Sequence, residues 1–299
     1  EALTLSPEAA QRMEALCSGA GDAALENAVN QWIVGETGKV RETVDAALAA
    51  YRFNDAANAL YAFVWGTVCD WYVEFAKPLL QDDATAPETR DTMAWVIDQC
   101  LILLHPIMPF ITEELWGQSE RDRMLVHAQW PTYGADLVNA TADAEVNFVR
   151  QLIENIRSAR AQMNVPASAR VPLVATHTDA VGAAAIKTHW PLIERMARVD
   201  SIETVGEMPK GAVTVGAPGC TFGMPLADLI DIAAEKARLE KSVTKLDKEI
   251  KGLEGRVNNP KFAASAPAEV VEEARANLAE RTDDRAKLTD ALARLAEID

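Results

Sequence analysis

The sequence predicts a mainly α-helical protein: an antiparallel helical bundle over residues 1–164, a small α/β domain over 165–227 and an antiparallel coiled-coil hairpin over 228–299. Three observations predict it. Apolar residues recur at intervals of three and four through most of the stretch from Ser6 to Met163, so each helix there has one apolar face to bury. After Val165-Pro166, short runs rich in Val, Ile and Thr alternate as strands do. From Leu239 onward the spacing settles into a heptad with charges at the intervening positions.

The bundle opens at Ser6-Pro7-Glu8, where Ser can cap a helix and Pro at its first position loses no hydrogen bond; this short helix runs to about Cys17. A second helix lies within Asp22–Tyr51, with Leu25, Val29, Trp32, Ile33, Val40, Val44 and Leu48 on its apolar face. Gly35 and Gly38 are expected to slacken it. After a turn at Arg52-Phe53-Asn54-Asp55, the run Ala57, Leu60, Tyr61, Val64, Trp65, Val68, Trp71, Tyr72 and Phe75 marks a core helix that Pro78 closes. A third long helix spans about Pro87–Leu104 and ends at His105-Pro106. A shorter one follows Pro109 from Phe110 to Trp116, and a fourth long one covers about Ala144–Met163. Long helices with short connections pack as antiparallel neighbours.

In the α/β domain, Val171–Thr176, Ser201–Val205 and Ala212–Val215 read as strands, with Cys220–Leu226 as a further candidate and Ala180–Ala197 as one helix. In the hairpin, Leu239, Val243, Leu246, Ile250, Leu253 and Val257 are spaced 4, 3, 4, 3 and 4 apart. That is an a/d seam. Asn258-Asn259-Pro260 breaks the helix, Pro267 opens another, and Val271, Ala274, Leu278, Leu288, Leu292 and Leu295 continue the frame, with Arg281 and Arg285 in its middle. Helices of about 22 and 30 residues make an arm about 35 to 45 Å long.

Composition narrows the function. Hydrophobic residues at 49% and charged residues at 25% fit a soluble globular protein and exclude a disordered, collagenous or disulfide-stapled chain. Apolar runs such as Cys100–Leu104 fall far short of a membrane span, so no membrane role is expected and the location is expected to be cytoplasmic. The start, Glu1-Ala2-Leu3-Thr4, lacks both an initiator Met and a basic, then apolar, leader, and reads as a cut inside a longer protein. A net charge of −16 repels nucleic acid at long range, so any such site must be a local patch; DNA is not expected as a partner. Cys17, Cys69, Cys100 and Cys220 form no C-x-x-C pair, and none of the four His stands at ligand spacing beside them. Buried free thiols and no metal are expected. No phosphate loop, nucleophile elbow or H-E-x-x-H is present, so no catalytic residue is assigned.

Longer strings carry a resemblance. Tyr51-Arg52-Phe53-Asn54-Asp55-Ala56-Ala57, with Trp65, Cys69-Asp70-Trp71-Tyr72 and Ala76-Lys77-Pro78-Leu79-Leu80, resembles the anticodon-binding bundle of the valyl-tRNA synthetases, a class I family. Leu104-His105-Pro106-Ile107-Met108-Pro109-Phe110-Ile111-Thr112-Glu113-Glu114-Leu115-Trp116 is similar to a motif of the valyl, isoleucyl and leucyl branches alike. Asn258-Asn259-Pro260-Lys261-Phe262 and Ala266-Pro267-Ala268-Glu269-Val270-Val271 resemble the family's C-terminal arm. The resemblance covers nearly the whole chain and implies a C-terminal part that recognises the anticodon region and outer corner of tRNA(Val). It implies a parent ligase using ATP and Mg, with an inserted editing domain and a Rossmann-type catalytic domain whose H-I-G-H and K-M-S-K-S signatures do not occur here. The part itself is expected to be non-catalytic and monomeric, and to lack the family's first bundle helix.

Candidate RNA contacts divide between bundle and arm. Arg52 and Asn54 lie at a helix–helix turn within reach of RNA, although Asn54-Asp55 also reads as a helix cap. Arg157, Arg160 and Arg170 surround the bundle's exit, where a solvated face is equally compatible. Trp65, Trp71 and Tyr72 could stack on bases, but their helical spacing favours core packing, and His105 reads as a helix end. In the arm, Lys236–Lys261 carries eight bases against four acids. Lys241, Lys245, Lys248, Lys251, Arg256 and Lys261 are the candidate phosphate contacts, and Phe262 could pack on a ribose or base. A coiled-coil scaffold docking a protein partner is the rival reading, since charged flanks also keep coiled coils soluble.

Overall fold

The computed structural model describes residues 7–18, 25–119, 121, 123–225, 232–259 and 268–296. They form two compact units, residues 1–150 and 151–299, with the boundary inside a long helix. The first unit contains α1 (Pro7–Ser18), α2 (Ala28–Ala49), α3 (Phe53–Tyr61), a π-helical segment (Ala62–Tyr72), α4 (Val73–Leu79), α5 (Ala86–Leu104) and α6 (Pro109–Trp116). α7 (Ala140–Gln162) begins in it. The Ser6 cap expected for α1 lies outside the described residues.

α2 starts where the Asn27 side chain accepts a hydrogen bond from the Val29 N–H at 2.9 Å. It runs unbroken through Gly35 and Gly38, against the expected slackening. The glycines serve close approach instead: a Cβ on Gly38 would stand 2.2 Å from the Gly134 carbonyl oxygen, and one on Gly35 would stand 3.2 Å from the Val138 Cα. Core residues Val29, Trp32, Ile33 and Val44 of α2 are buried along with Val96 and Leu103 of α5, and Phe75 of α4 meets Trp32 with ring centroids 6.2 Å apart. One buried polar network ties these helices together. Tyr72 Oη donates to Asn30 Oδ1 at 3.1 Å, while Asn30 Nδ2 donates to Glu88 Oε1 at 2.8 Å and to Thr89 Oγ1 at 3.1 Å.

The core helix expected after Asp55 is not a plain α-helix. Across Ala62–Tyr72 the wider i→i+5 winding replaces the α pattern, and the buried positions Phe63, Val68 and Tyr72 stand five and four apart. Trp71 and Tyr72 pack inside as expected, but Trp65 is 60% exposed and Tyr61 69% exposed. Cys69 is also turned to solvent, and Cys17 is half-buried, so buried thiols are found only at Cys100 and Cys220.

In the second unit, β1 (Val171–Thr178), β2 (Val199–Thr204), β3 (Ala212–Ala217) and β4 (Cys220–Pro225) form one sheet in the order β2-β1-β4-β3. β1 and β2 are parallel, and β4 pairs antiparallel with both β1 and β3. The parallel pair needs a crossover, supplied by α8 (Ala180–Thr188) and α9 (Trp190–Ala197). These replace the single helix expected over Ala180–Ala197. His189 closes α8, and Pro191, which has no N–H to continue the ladder, sits in the first turn of α9. Val171, Leu173 and Phe222 are fully buried, as are Ile153 and Ile156 of α7 and Ile193 of α9. α10 (Ile232–Val257) and α11 (Ala268–Ala296) run antiparallel against each other. At 1.5 Å per residue they are about 39 and 43 Å long. Leu239, Val271, Ala274 and Leu295 are buried in the seam. Its polar middle is bridged across the helices, Arg285 Nε reaching Asp247 Oδ1 at 2.5 Å and Arg281 Nε lying 3.8 Å from Glu249 Oε2.

Candidate nucleic-acid interface

The turn between α2 and α3 offers the first candidate surface. Tyr51 takes the left-handed conformation, φ 58°, just past the end of α2. Its N–H donates to the Leu48 carbonyl at 3.0 Å, and the next N–H, that of Arg52, donates to the Ala47 carbonyl at 2.8 Å. This is the Schellman closure, which ordinarily uses glycine at the position Tyr51 holds. A side chain there costs about 1 to 2 kcal/mol. Burial offers no compensation, since the Tyr51 ring is 81% exposed and Phe53 is 60% exposed, edge-to-face with it at 6.3 Å. Two solvent-facing aromatic rings beside a guanidinium suit the stacking and phosphate contacts of single-stranded RNA.

Arg52 and Asn54 are both exposed in this turn, and Asn54 is not the expected cap. It sits inside the first turn of α3, where Nδ2 donates to Asp55 Oδ1 at 2.9 Å; Arg52 Nε lies 3.4 Å from Asp55 Oδ2. One aspartate thus holds both candidates. His105 closes α5 as expected, and its Nδ1 meets Thr112 Oγ1 at 2.8 Å.

The arginines near the end of α7 differ sharply. Arg157 is exposed and its Nε donates to the Met196 carbonyl at 3.0 Å. Arg160 is buried: its Nη2 donates to the carbonyls of Ala169 at 2.7 Å and Pro166 at 3.0 Å, so the guanidinium braces the loop into β1. Burial, helped by the neighbouring charge of Arg198, lowers its pKa from the usual range. Those contacts remove Arg160 from the set that can meet RNA. Arg170 is exposed but held between Asp200 Oδ1 at 2.6 Å and Glu194 Oε1 at 2.7 Å, pairs that raise its pKa.

The second surface is the outer face of α10. Lys241, Lys245 and Lys248 follow one another at four and three residues, which stacks them along one stripe, with Lys251 on its flank. The seam residues lie on the opposite side of the helix. All four lysines are exposed, and among the described residues Lys241, Lys248 and Lys251 have no ion-pair partner. Lys245 Nζ lies 3.7 Å from Glu249 Oε1. Lys241, Ser242, Thr244, Lys245 and Lys248 line a shallow recess of about 470 Å3 that has no acidic side chain among its described lining residues. Gly252 and Gly255 continue the stripe, and a Cβ on either would meet nothing within 4 Å. Arg256 is exposed as well, whereas Lys261 and Phe262 lie outside the described residues. No group of three or more His, Cys, Asp or Glu able to hold a metal occurs among the described residues, nor does any helix long and apolar enough to cross a membrane.

Comparison with known proteins finds two matched domains along the chain. Residues 30–175 match the anticodon-binding domain of tRNA ligases, and residues 231–296 match the valyl-tRNA synthetase tRNA-binding arm. Valine–tRNA ligase of Ruegeria pomeroyi is 63% identical over 283 residues, covering 93% of this chain and 28% of that protein. The ligase of Cereibacter sphaeroides is 58% identical over 271 residues, or 90% of this chain and 27% of its own length. That of Caulobacter vibrioides is 44% identical over 281 residues, 92% and 31% respectively. The chain thus spans about three tenths of the length of the curated relatives it matches. The two matched domains, in this order, and these relatives place the chain in the valyl-tRNA synthetase family, as the C-terminal region carrying the anticodon-binding domain and the tRNA-binding arm.

Proposed function

We propose that the chain is the tRNA-binding part of a valine–tRNA ligase: the bundle meets the anticodon region of tRNA(Val), and the arm meets its outer corner. The observation that carries this reading is the stripe of lysines on α10, exposed and mostly unpaired on a chain of net charge −16. Phosphates supply the charge those lysines lack. The part works by positioning. In the parent ligase, ATP and Mg serve formation of valyl-adenylate in the catalytic portion, and contacts made here raise the effective concentration of the acceptor end near that adenylate. Catalytic and editing domains of the same polypeptide are its other partners, in the cytoplasm. A scaffold role for the coiled coil is not favoured, because the matched arm is a tRNA-binding one.

The test is a titration with tRNA(Val) and a noncognate tRNA at about 50 and 200 mM salt. Affinity should fall steeply with salt, as counterion release requires, and favour tRNA(Val). Binding indifferent to salt and to tRNA identity would refute the reading.

A further inference from the structure

The lysine face of α10 stays largely unpaired although acids of the same helix stand within its reach. In a helix, side chains four residues apart are neighbours, and a carboxylate placed before a lysine is the more favourable order. Asp247 and Lys251 have that spacing and that order, yet among the described residues Lys251 has no ion-pair partner. Asp247 is engaged instead from the facing helix, by Arg285 Nε at 2.5 Å. Glu254 follows Lys251 in the less favourable order and makes no ion pair among the described residues. Glu249 gives the contrast. Arg281 Nε stands 3.8 Å from it while Arg281 Nη1 turns to Asp284 at 3.3 Å, and Glu249 lies 3.7 Å from Lys245 on its own helix. The lysine is free where the bridge across the hairpin is close and engaged where the bridge is loose.

Arg285 also holds a position in the seam frame, where a heptad calls for an apolar side chain, so the hairpin alone would be better packed with leucine there. We propose that Arg285 is a positioning residue for RNA binding: by holding Asp247 from across the seam it keeps that carboxylate off Lys251 and leaves the lysine's charge for a phosphate. This rests on the reading that the lysine face of α10 meets tRNA. Arg285 itself touches no RNA and acts through Asp247. A bridge that only fixes the register of the two helices is the rival account, and the two differ in what they expect of Asp247.

The test uses Arg285→Leu, Arg285→Gln, Asp247→Asn, and Arg285→Leu combined with either Asp247→Asn or Glu272→Gln, all in the 299-residue chain. Leucine suits the seam, so circular dichroism should show the arm intact. Without RNA, labelling by acetic anhydride, read site by site with mass spectrometry, should slow about two-fold at Lys251 in both Arg285 variants, the size of an exposed i,i+4 pair. Adding Asp247→Asn should return it to the native rate. Affinity for tRNA(Val) at about 50 mM salt should fall about two-fold with Arg285→Leu, and by less at about 200 mM, where exposed pairs and phosphate contacts are both screened. Asp247→Asn alone breaks the same bridge and should not weaken binding. In the Arg285→Leu background Asp247→Asn should restore affinity, whereas Glu272→Gln, which restores the same net charge about 20 Å away along α11, should not. Unchanged labelling of Lys251, weaker binding by Asp247→Asn alone, or equal rescue by the two acid changes overturns the proposal. If the native chain binds tRNA without salt dependence, the binding reading falls, and labelling of Lys251 in the RNA-free protein still decides whether Arg285 shields it.

Discussion

The triple change Lys241→Gln, Lys248→Gln and Lys251→Gln removes three exposed charges that have no ion-pair partner among the described residues and leaves every seam residue of α10 in place. Gln is nearly as good a helix former as Lys, so the hairpin should keep its helicity. If each lysine neutralises one phosphate of a duplex stem, the slope of log K against log salt should fall in magnitude by about 0.9 per lysine, or about 2.7 in all. Between about 50 and 200 mM salt a difference of that size is worth about 40-fold in affinity, so the variant should lose most of its binding at the lower salt and much less at the higher. Lys245→Gln should do less, because Lys245 already lies 3.7 Å from Glu249. Fluorescence anisotropy with labelled tRNA(Val) at four salt concentrations reads the slope, and circular dichroism reads the helix. An unchanged slope in the triple variant with intact helicity would refute phosphate contact by this face.

Three further outcomes are expected. Tyr51→Gly relieves a left-handed tyrosine and should stabilise the chain by about 1 kcal/mol in urea unfolding. If the ring stacks on a base, the same variant should bind tRNA more weakly by about 1 to 3 kcal/mol; unchanged binding would remove Tyr51 from the interface. Gly38→Ala should destabilise by about 1 to 3 kcal/mol despite alanine's better helix propensity, because its Cβ would stand 2.2 Å from the Gly134 carbonyl, whereas Gly252→Ala has open space and should stabilise by about 1 kcal/mol. Thermal melts that move both variants the same way would contradict this. Burial pushes the Cys100 thiol up from 9.0 to about 12, so at pH 8 its thiolate fraction is about a thousand-fold below that of the unfolded chain. Native labelling should be slower by at least that factor. A raised thiol pKa contributes stability that is present below pH 9 and lost as pH rises towards 12, so alkaline melts should fall through that window.

Helix existence was legible where burial on one face sets the period, as in α2, α5 and the arm, because the face that must leave water dictates the spacing. β1 and β3 were legible for the same reason at period two, whereas β4, buried at four of its six positions, lacks that alternation and is only a candidate strand in the sequence. What failed were interruptions. The π segment keeps spacings of three and four in sequence while its wider turn distributes those residues around the axis. The same pattern therefore buries Trp71 and Tyr72 and exposes Trp65. The α8–α9 break needed Pro191 to be read as a start rather than tolerated within one helix. Gly35 and Gly38 looked like weak points because their use depends on a loop almost a hundred residues away.

The two halves of the candidate site differ in legibility for a physical reason. Lysines on a heptad must occupy the outer positions, so the charged stripe of α10 follows from the seam alone, and the only finer detail needed from the structure is which of them Glu249 engages. Arginines near the end of α7 carry no such constraint. Arg160 and Arg170 read alike in sequence, yet one is buried and donates to loop carbonyls and the other is exposed and donates to two carboxylates, because the loop into β1 and α9 decide what lies within reach. Aromatic rings are the least legible, since hydrophobicity predicts burial for all of them. Tyr51 departs from that rule through one backbone torsion, which holds its ring in solvent against Phe53, and it is this strained, exposed placement that the Tyr51→Gly comparison of stability with tRNA affinity puts to the test.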